Sequence, residues 1–334
     1  MYRALRPLLF QLDAERAHGL TLSLLGAAHR LGVLRVALPR PPRRPIELMG
    51  LVFPNRVGLA AGFDKNAACI DALGALGFGF IEVGTVTPRP QAGNAKPRVF
   101  RVREAEAVIN RMGFPNGGVA ALTARLRLRR FSGICGVNIG KNAATPLAAA
   151  GEDYAACLEA VYPYSDYVAL NISSPNTPGL RELERAARLR PLLERLLEQR
   201  ARLAAEHGRQ VPLLVKLSPD LGGADLSATA ALLGALRIDG VIATNTTLER
   251  PGIAQLPVAR EAGGLSGAPL LERSVTLVRK LREHLGAATP IIGVGGINSA
   301  AAARKMLAAG ADLVQLYTGL LYRGPRVVRE IAQL

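Results

Sequence analysis

Eight short apolar runs punctuate the chain, starting near Val57, Phe80, Ile134, Tyr167, Val211, Gly240, Pro290 and Leu313. They read as buried strands. Helical spacing of apolar residues fills most of the gaps, at about 67–76, 116–130, 151–162, 185–207, 224–236, 268–285 and 299–308. Eight strands alternating with helices predict an α/β fold, a (β/α)8 TIM barrel over residues 46–334. An open doubly wound sheet is the competitor. It would be favoured by G-x-G-x-x-G after the first strand; the nearest match, Gly293 to Asn298, comes late and has Asn where the third Gly should stand.

Residues 1–38 predict a pair of amphipathic helices. Leu5, Leu8, Leu9 and Leu12 share one face; after Asp13, a candidate N-cap, Ala17, Leu20, Leu24, Ala28 and Leu31 form a second stripe. The uncharged stretch Gly19–Ala28 is too short to span a bilayer. Two readings stay open: a helical pair packed on the barrel, or a pair lying on a membrane surface. Residues 39–45, with four prolines and three arginines, read as a stiff connector.

Charge sharpens the second reading. The net charge is +16, and residues 1–44 carry eight Arg against Asp13 and Glu15, a local +6 that suits anionic lipid. Aromatics make up 4% and Trp is absent, which argues against stacking-based nucleic-acid binding. Cys69, Cys135 and Cys157 are far apart and form no metal or disulfide framework. Only six of the 42 basic residues are Lys, and Lys65, Lys141 and Lys216 fall at strand ends or just after them, where a compact point charge is wanted.

The C-terminal strand ends are where a barrel does chemistry. Here they read Ala60 to Lys65, Gly84-Thr85, Asn138 to Lys141, Asn171 to Asn176, Lys216 to Pro219, Thr244 to Thr246, Gly293 to Gly296, and Tyr317 to Gly319. Each carries amides, hydroxyls, ammonium groups or bare glycine backbone. None carries His, and Asp64 has no carboxylate companion, so metal hydrolysis and paired-carboxylate chemistry fit poorly. Neutral donors plus lysines suit a large ligand rich in acceptors, such as flavin mononucleotide (FMN). Gly295-Gly296 and Thr318-Gly319 make a candidate phosphate cradle, although a late glycine pair is also an ordinary tight turn. Lys216 could form a Schiff base, sit beside a flavin, or make a barrel-rim ion pair. Ser174 is either a turn residue or a catalyst.

Taken in order, Ala60 to Asn66, Glu82 to Pro88, Asn110 to Phe114, Asn171 to Asn176, Gly264 to Gly267 and Gly293 to Gly296 resemble the dihydroorotate dehydrogenases. The closer likeness is to the membrane-associated, quinone-reducing class 2, because Ser174 stands where class 1 has Cys and because the N-terminal helices are present. The resemblance implies oxidation of dihydroorotate to orotate in pyrimidine biosynthesis, with one FMN per subunit and a quinone as electron acceptor. It implies FMN contacts from Ala61, Gly62, Phe63, Asp64, Lys65, Thr85, Asn138, Asn171, Lys216, Thr244, Gly267, Gly296, Tyr317 and Thr318. It implies substrate contacts from Lys65, Asn110, Arg111, Met112, Gly113, Phe114, Asn171, Asn176, Asn245 and Thr246, with Ser174 as base and no metal. Pro115 departs from the family pattern. A monomer on the cytoplasmic face of the cell membrane is expected. The alternatives are another FMN barrel acting on a dihydropyrimidine-type substrate, a Lys216 Schiff-base aldolase, and a non-enzymatic membrane-surface protein.

Overall fold

The computed structural model describes residues 2–37 and 43–334; most of the 39–45 connector lies outside them. The chain forms β1 (Ile46–Leu48), β2 (Leu51–Phe53), β3 (Val57–Leu59), β4 (Phe80–Val86), β5 (Val99–Val102), β6 (Ala107–Asn110), β7 (Ile134–Ile139), β8 (Tyr167–Asn171), β9 (Leu213–Leu217), β10 (Gly240–Ala243), β11 (Gly264–Gly267), β12 (Ile291–Val294) and β13 (Leu313–Leu316). A closed parallel barrel runs β3-β4-β7-β8-β9-β10-β12-β13 and back to β3. These eight are the strands expected from the apolar runs, each within two residues of its predicted start.

Barrel strands bury both faces, so inward and outward residues alternate within nearly continuous apolar runs. Val57, Leu59, Ile81 and Val83 point out into the layer of helices. Phe80, Tyr167, Leu214, Ile242, Ile292 and Leu313 point in and fill one end of the barrel, where the hairpin β1–β2 packs against them. The Phe53 ring meets Phe80 edge-on at 5.3 Å. Two residues further along the same strands the interior turns polar, with Glu82, Lys216 and Gln315.

The interior is close-packed around its aromatics. A Cβ on Gly58 would lie 2.3 Å from the Phe80 ring, and one on Gly136 would lie 2.0 Å from the Tyr167 ring.

A second sheet was not foreseen. The excursions after β4 and β10 pair as an antiparallel β5-β6-β11 sheet, with Gly264 opposite Asn110 and Gly267 opposite Ala107. Its own small core holds Val102, Ile109, Ile253 and Leu265.

Three helices, rather than the expected two, precede the barrel: α1 (Tyr2–Leu9), α2 (Ala14–Arg30) and α3 (Val33–Ala37). Gly32 adopts φ +74°, which ends α2 and lets the chain restart. Asp13 caps α2, its Oδ1 accepting from the Glu15 and Arg16 N–H groups at 3.0 Å. Arg98 grips the Glu15 carboxylate with two hydrogen bonds of 2.7 and 3.0 Å, tying α2 to the segment that leads into β5. The predicted apolar stripes face the barrel only in part, through Leu9 and the buried Ala17. Leu22 and Leu25 also face it, whereas Leu8 (62%), Leu24 (58%) and Leu31 (79%) are exposed. No helix among the described residues is long and apolar enough to cross a membrane.

Gly136→Ala should therefore lower stability by about 1–3 kcal/mol, because the new methyl has nowhere to go but into the Tyr167 ring. A denaturant midpoint unchanged from wild type would contradict this packing.

Candidate active site

The polar strand ends converge on one cleft of about 980 Å³. Its mixed lining of amides, hydroxyls, ammonium groups and apolar side chains suits a cofactor plus a small substrate. Strands β3 and β4 supply Ala61, Gly62, Lys65 and Thr85; β8 supplies Asn171, Ser174 and Asn176; β9 and β10 supply Lys216, Thr244, Asn245 and Thr246. Gly295, Gly296, Tyr317, Thr318 and Gly319 close one side. The β5-β6-β11 sheet and the turn after it form the roof with Asn110, Met112, Gly113, Phe114, Ser266 and Gly267. Ser266 and Gln315 line the cleft without having been singled out in the sequence.

Four of the predicted contacts do not line it. The Asp64 carboxylate folds back to accept from the N–H groups of Ala68 and Cys69 at 2.9 and 2.7 Å, so it shapes the turn after β3. Phe63 faces a second cavity. Arg111 points outward, paired with Glu261 at 2.7 Å and lying over the Phe100 ring. Asn138 sits beneath the floor, one layer behind the lining. Lys141, flagged as a point charge, is instead absorbed by the carbonyls of Asn142 and Thr145 at 3.2 and 2.9 Å.

The floor is a continuous chain of hydrogen bonds. Glu82, fully buried, accepts from Asn138 Nδ2 at 2.8 Å. That fixes the Asn138 amide with its oxygen upward, where it accepts from the Thr85 hydroxyl at 2.5 Å and Asn171 Nδ2 at 3.2 Å. Asn171 Oδ1 accepts from Asn245 Nδ2 at 3.2 Å. Glu82 also accepts from the Tyr167 hydroxyl at 2.9 Å and Gln315 Nε2 at 2.8 Å, and lies 3.7 Å from Lys216 Nζ. Burial and the Glu82 charge hold the Tyr167 phenol far above its ordinary pKa, so it stays a donor. The sequence put no carboxylate near Lys216; the barrel interior supplies one.

Ser174 is buried at the cleft edge, and its Oγ accepts from the Asn176 N–H at 3.3 Å. Its loop is strapped by Arg181, which donates to Ser173 O at 3.1 Å and Thr246 O at 2.8 Å and pairs with Asp220 at 2.8 Å. Thr177 Oγ1, also buried, has no hydrogen-bond partner among the described residues, and the same holds for Thr246 Oγ1. Asn176 Nδ2 donates to Asn110 Oδ1 at 3.2 Å, joining floor loop to roof. Lys65 Nζ donates to Gly62 O at 2.6 Å; burial pushes this ammonium down to a pKa of about 8.

A second cavity, of about 1290 Å³, opens between the N-terminal helices and the barrel. Leu9, Phe10, Ala17, Leu25, Phe63 and Leu320 make it largely apolar. His18 faces it, pushed down to about 4 by burial and by Lys65. Lys65, Asn110, Met112 and Tyr317 line both cavities. Among the described residues no group of His, Cys, Asp or Glu is arranged to hold a metal.

Comparison with known proteins gives the same picture from end to end. The family model for dihydroorotate dehydrogenase matches residues 45–334. A dihydroorotate dehydrogenase (quinone) of Nitrosospira multiformis is 56% identical over 100% of this chain and 95% of its own length. One from Chromobacterium violaceum is 57% identical over 100% and 97%. Among solved structures, the DHODH of Eimeria tenella in complex with ferulenol superposes with TM-score 0.86 at 36% identity, covering 96% of this chain and 90% of that one. The ligand-free form of the same enzyme gives 0.87 at 37% identity, with 96% and 93% covered. The chain belongs to the dihydroorotate dehydrogenase family, in its quinone-dependent class.

Proposed function

We propose that the protein oxidises dihydroorotate to orotate in pyrimidine biosynthesis, with FMN in the main cleft and a membrane quinone as the final acceptor. One observation carries this: Ser174, Lys65, Lys216 and four asparagines, at 110, 171, 176 and 245, converge on a single cleft. FMN fits the donor set. Gly295 and Gly296 both adopt positive φ, so their backbone comes close to the cleft without side chains. With the Thr318 and Ser266 hydroxyls they suit a phosphate, and Lys216 suits the pyrimidine edge of the flavin. The alternative of a Lys216 Schiff base finds less support, because Nζ lies 3.7 Å from the buried Glu82 carboxylate as an ion pair.

When bound, FMN supplies a hydride acceptor and passes the two electrons on. The rest is work for the chain's own side chains. The asparagines offer amide donors and acceptors to the substrate's ring amides and carboxylate, and Lys65 offers it a cation. Ser174 Oγ takes the proton from C5 of dihydroorotate. No His or carboxylate hydrogen-bonds to it among the described residues, so the proton must leave by another hydroxyl or a water. The unpartnered Thr177 hydroxyl, three residues on, suits that relay. The Arg181 strap holds the loop over the site and keeps bulk water out while the proton moves.

The apolar second cavity suits a quinone. The exposed leucines of α1 and α2, together with Val33 and Val36 of α3, form an apolar surface beside it, with Arg6, Arg16 and Arg30 on the same helices. That combination fits a peripheral membrane contact on the cytoplasmic face. The test of the whole reading is an absorbance spectrum. The purified protein should show flavin bands that bleach on anaerobic addition of dihydroorotate; a colourless protein that does not take up added FMN would refute it.

Ser174→Ala should slow flavin reduction by dihydroorotate about 10²–10⁴-fold with FMN retained. Stopped-flow bleaching at the wild-type rate would remove Ser174 from the mechanism. Lys65 gives a pH signature. Only its ammonium form attracts the orotate carboxylate, so orotate affinity should be flat below about pH 7 and fall roughly tenfold per pH unit above about 8. Lys65→Met should bind orotate weakly and without that dependence, as read from the perturbed flavin spectrum. Ala17→Arg puts a charge into the apolar cavity. It should raise the quinone KM at least about tenfold while reduction by dihydroorotate keeps its rate.

A further inference from the structure

Glu82 takes no part in the mechanism above, yet it is the only fully buried carboxylate among the described residues and it lies inside the barrel, directly behind the cleft. We propose that Glu82 is a positioning residue that sets the reduction potential of bound FMN by offsetting the charge of Lys216. The inference rests on the reading that FMN occupies the cleft.

The surroundings of Glu82 offer it donors on every side. Its oxygens accept from Asn138 Nδ2, the Tyr167 hydroxyl and Gln315 Nε2, all between 2.8 and 2.9 Å. Three donors aimed at one carboxylate satisfy it without any contact to water. The fourth neighbour is Lys216, its Nζ 3.7 Å away, closer than any other charged group. That is an ion pair rather than a hydrogen bond, so Glu82 fixes where the ammonium sits without using up its N–H groups. Lys216 is itself buried and lines the cleft, and no hydrogen-bond acceptor within the chain reaches Nζ among the described residues. Its donors are left for a ligand.

The electrostatic result follows from the order of the charges. A flavin on the cleft floor meets Lys216 first and Glu82 behind it. Together the pair has no net charge. A flavin that gains negative charge on reduction is stabilised by the near ammonium and opposed by the carboxylate behind it. Glu82 therefore holds the potential below the value that Lys216 alone would give, and its grip on Asn138 keeps Thr85 and Asn171 in their donor and acceptor roles at the same time.

The experiment is a potentiometric titration of the FMN-loaded protein at one fixed pH. Glu82→Gln, which keeps the size and one acceptor oxygen while removing the charge, should shift the equilibrium toward reduced flavin by at least about tenfold, ~30 mV for a two-electron couple. Lys216→Met should shift it the opposite way. The double variant, with both charges gone, should return close to wild type. An E82Q potential equal to or below wild type, with FMN bound, would reduce Glu82 to a packing residue and overturn the inference. If E82Q does not fold, Glu82→Asp draws the carboxylate back by one methylene and should give a smaller shift of the same sign; no shift would again overturn it. A wild-type protein that binds no FMN would instead refute the reading underneath.

Discussion

A closed barrel leaves its interior no access to water except at its mouths, so every polar group inside must be satisfied by another strand. Glu82 makes that constraint acute. Its partners come from β7, β8, β9 and β13, which means four other strands must be in register for one carboxylate to be tolerated. The same bonds orient Asn138, and through it Thr85, Asn171 and Asn245. The polarity of the whole floor is thereby set from below, by a residue that lines nothing.

Much of this was legible in the chain. The eight barrel strands stood out because strands buried on both faces are apolar runs, and the polar residues that end them mark the mouth of the site. Ser174, Lys216 and the asparagines could be placed together on that basis alone. The antiparallel roof could not. Gly264 to Gly267 has none of the β-branched or aromatic residues that mark a strand, and its partner β6 lies more than 150 residues earlier, so only the folded chain brings them together. Asp64 and Arg111 show a different limit. Both stand inside stretches that line the cleft, but side-chain direction is decided by partners: the turn N–H groups for one, Glu261 for the other.

Glu82 could have been found sooner. It is the single charge within Phe80–Val86, and inside alternation puts it on the same face as Phe80 and Gly84. A lone acid at the centre of a two-sided buried strand points into the barrel and needs a cation there; Lys216, at the same level of another strand, was the obvious candidate.

The N-terminal helices divide their two faces differently from a helical pair that only packs on a barrel. Their inner face builds an apolar cavity and their outer face leaves leucines in the open. Lys65, Asn110, Met112 and Tyr317 present one surface to each cavity, so the partition between them is a single layer of side chains. On the proposed assignment, with dihydroorotate in one cavity and a quinone in the other, electrons would cross that single layer. Each partner would then arrive and depart by its own door.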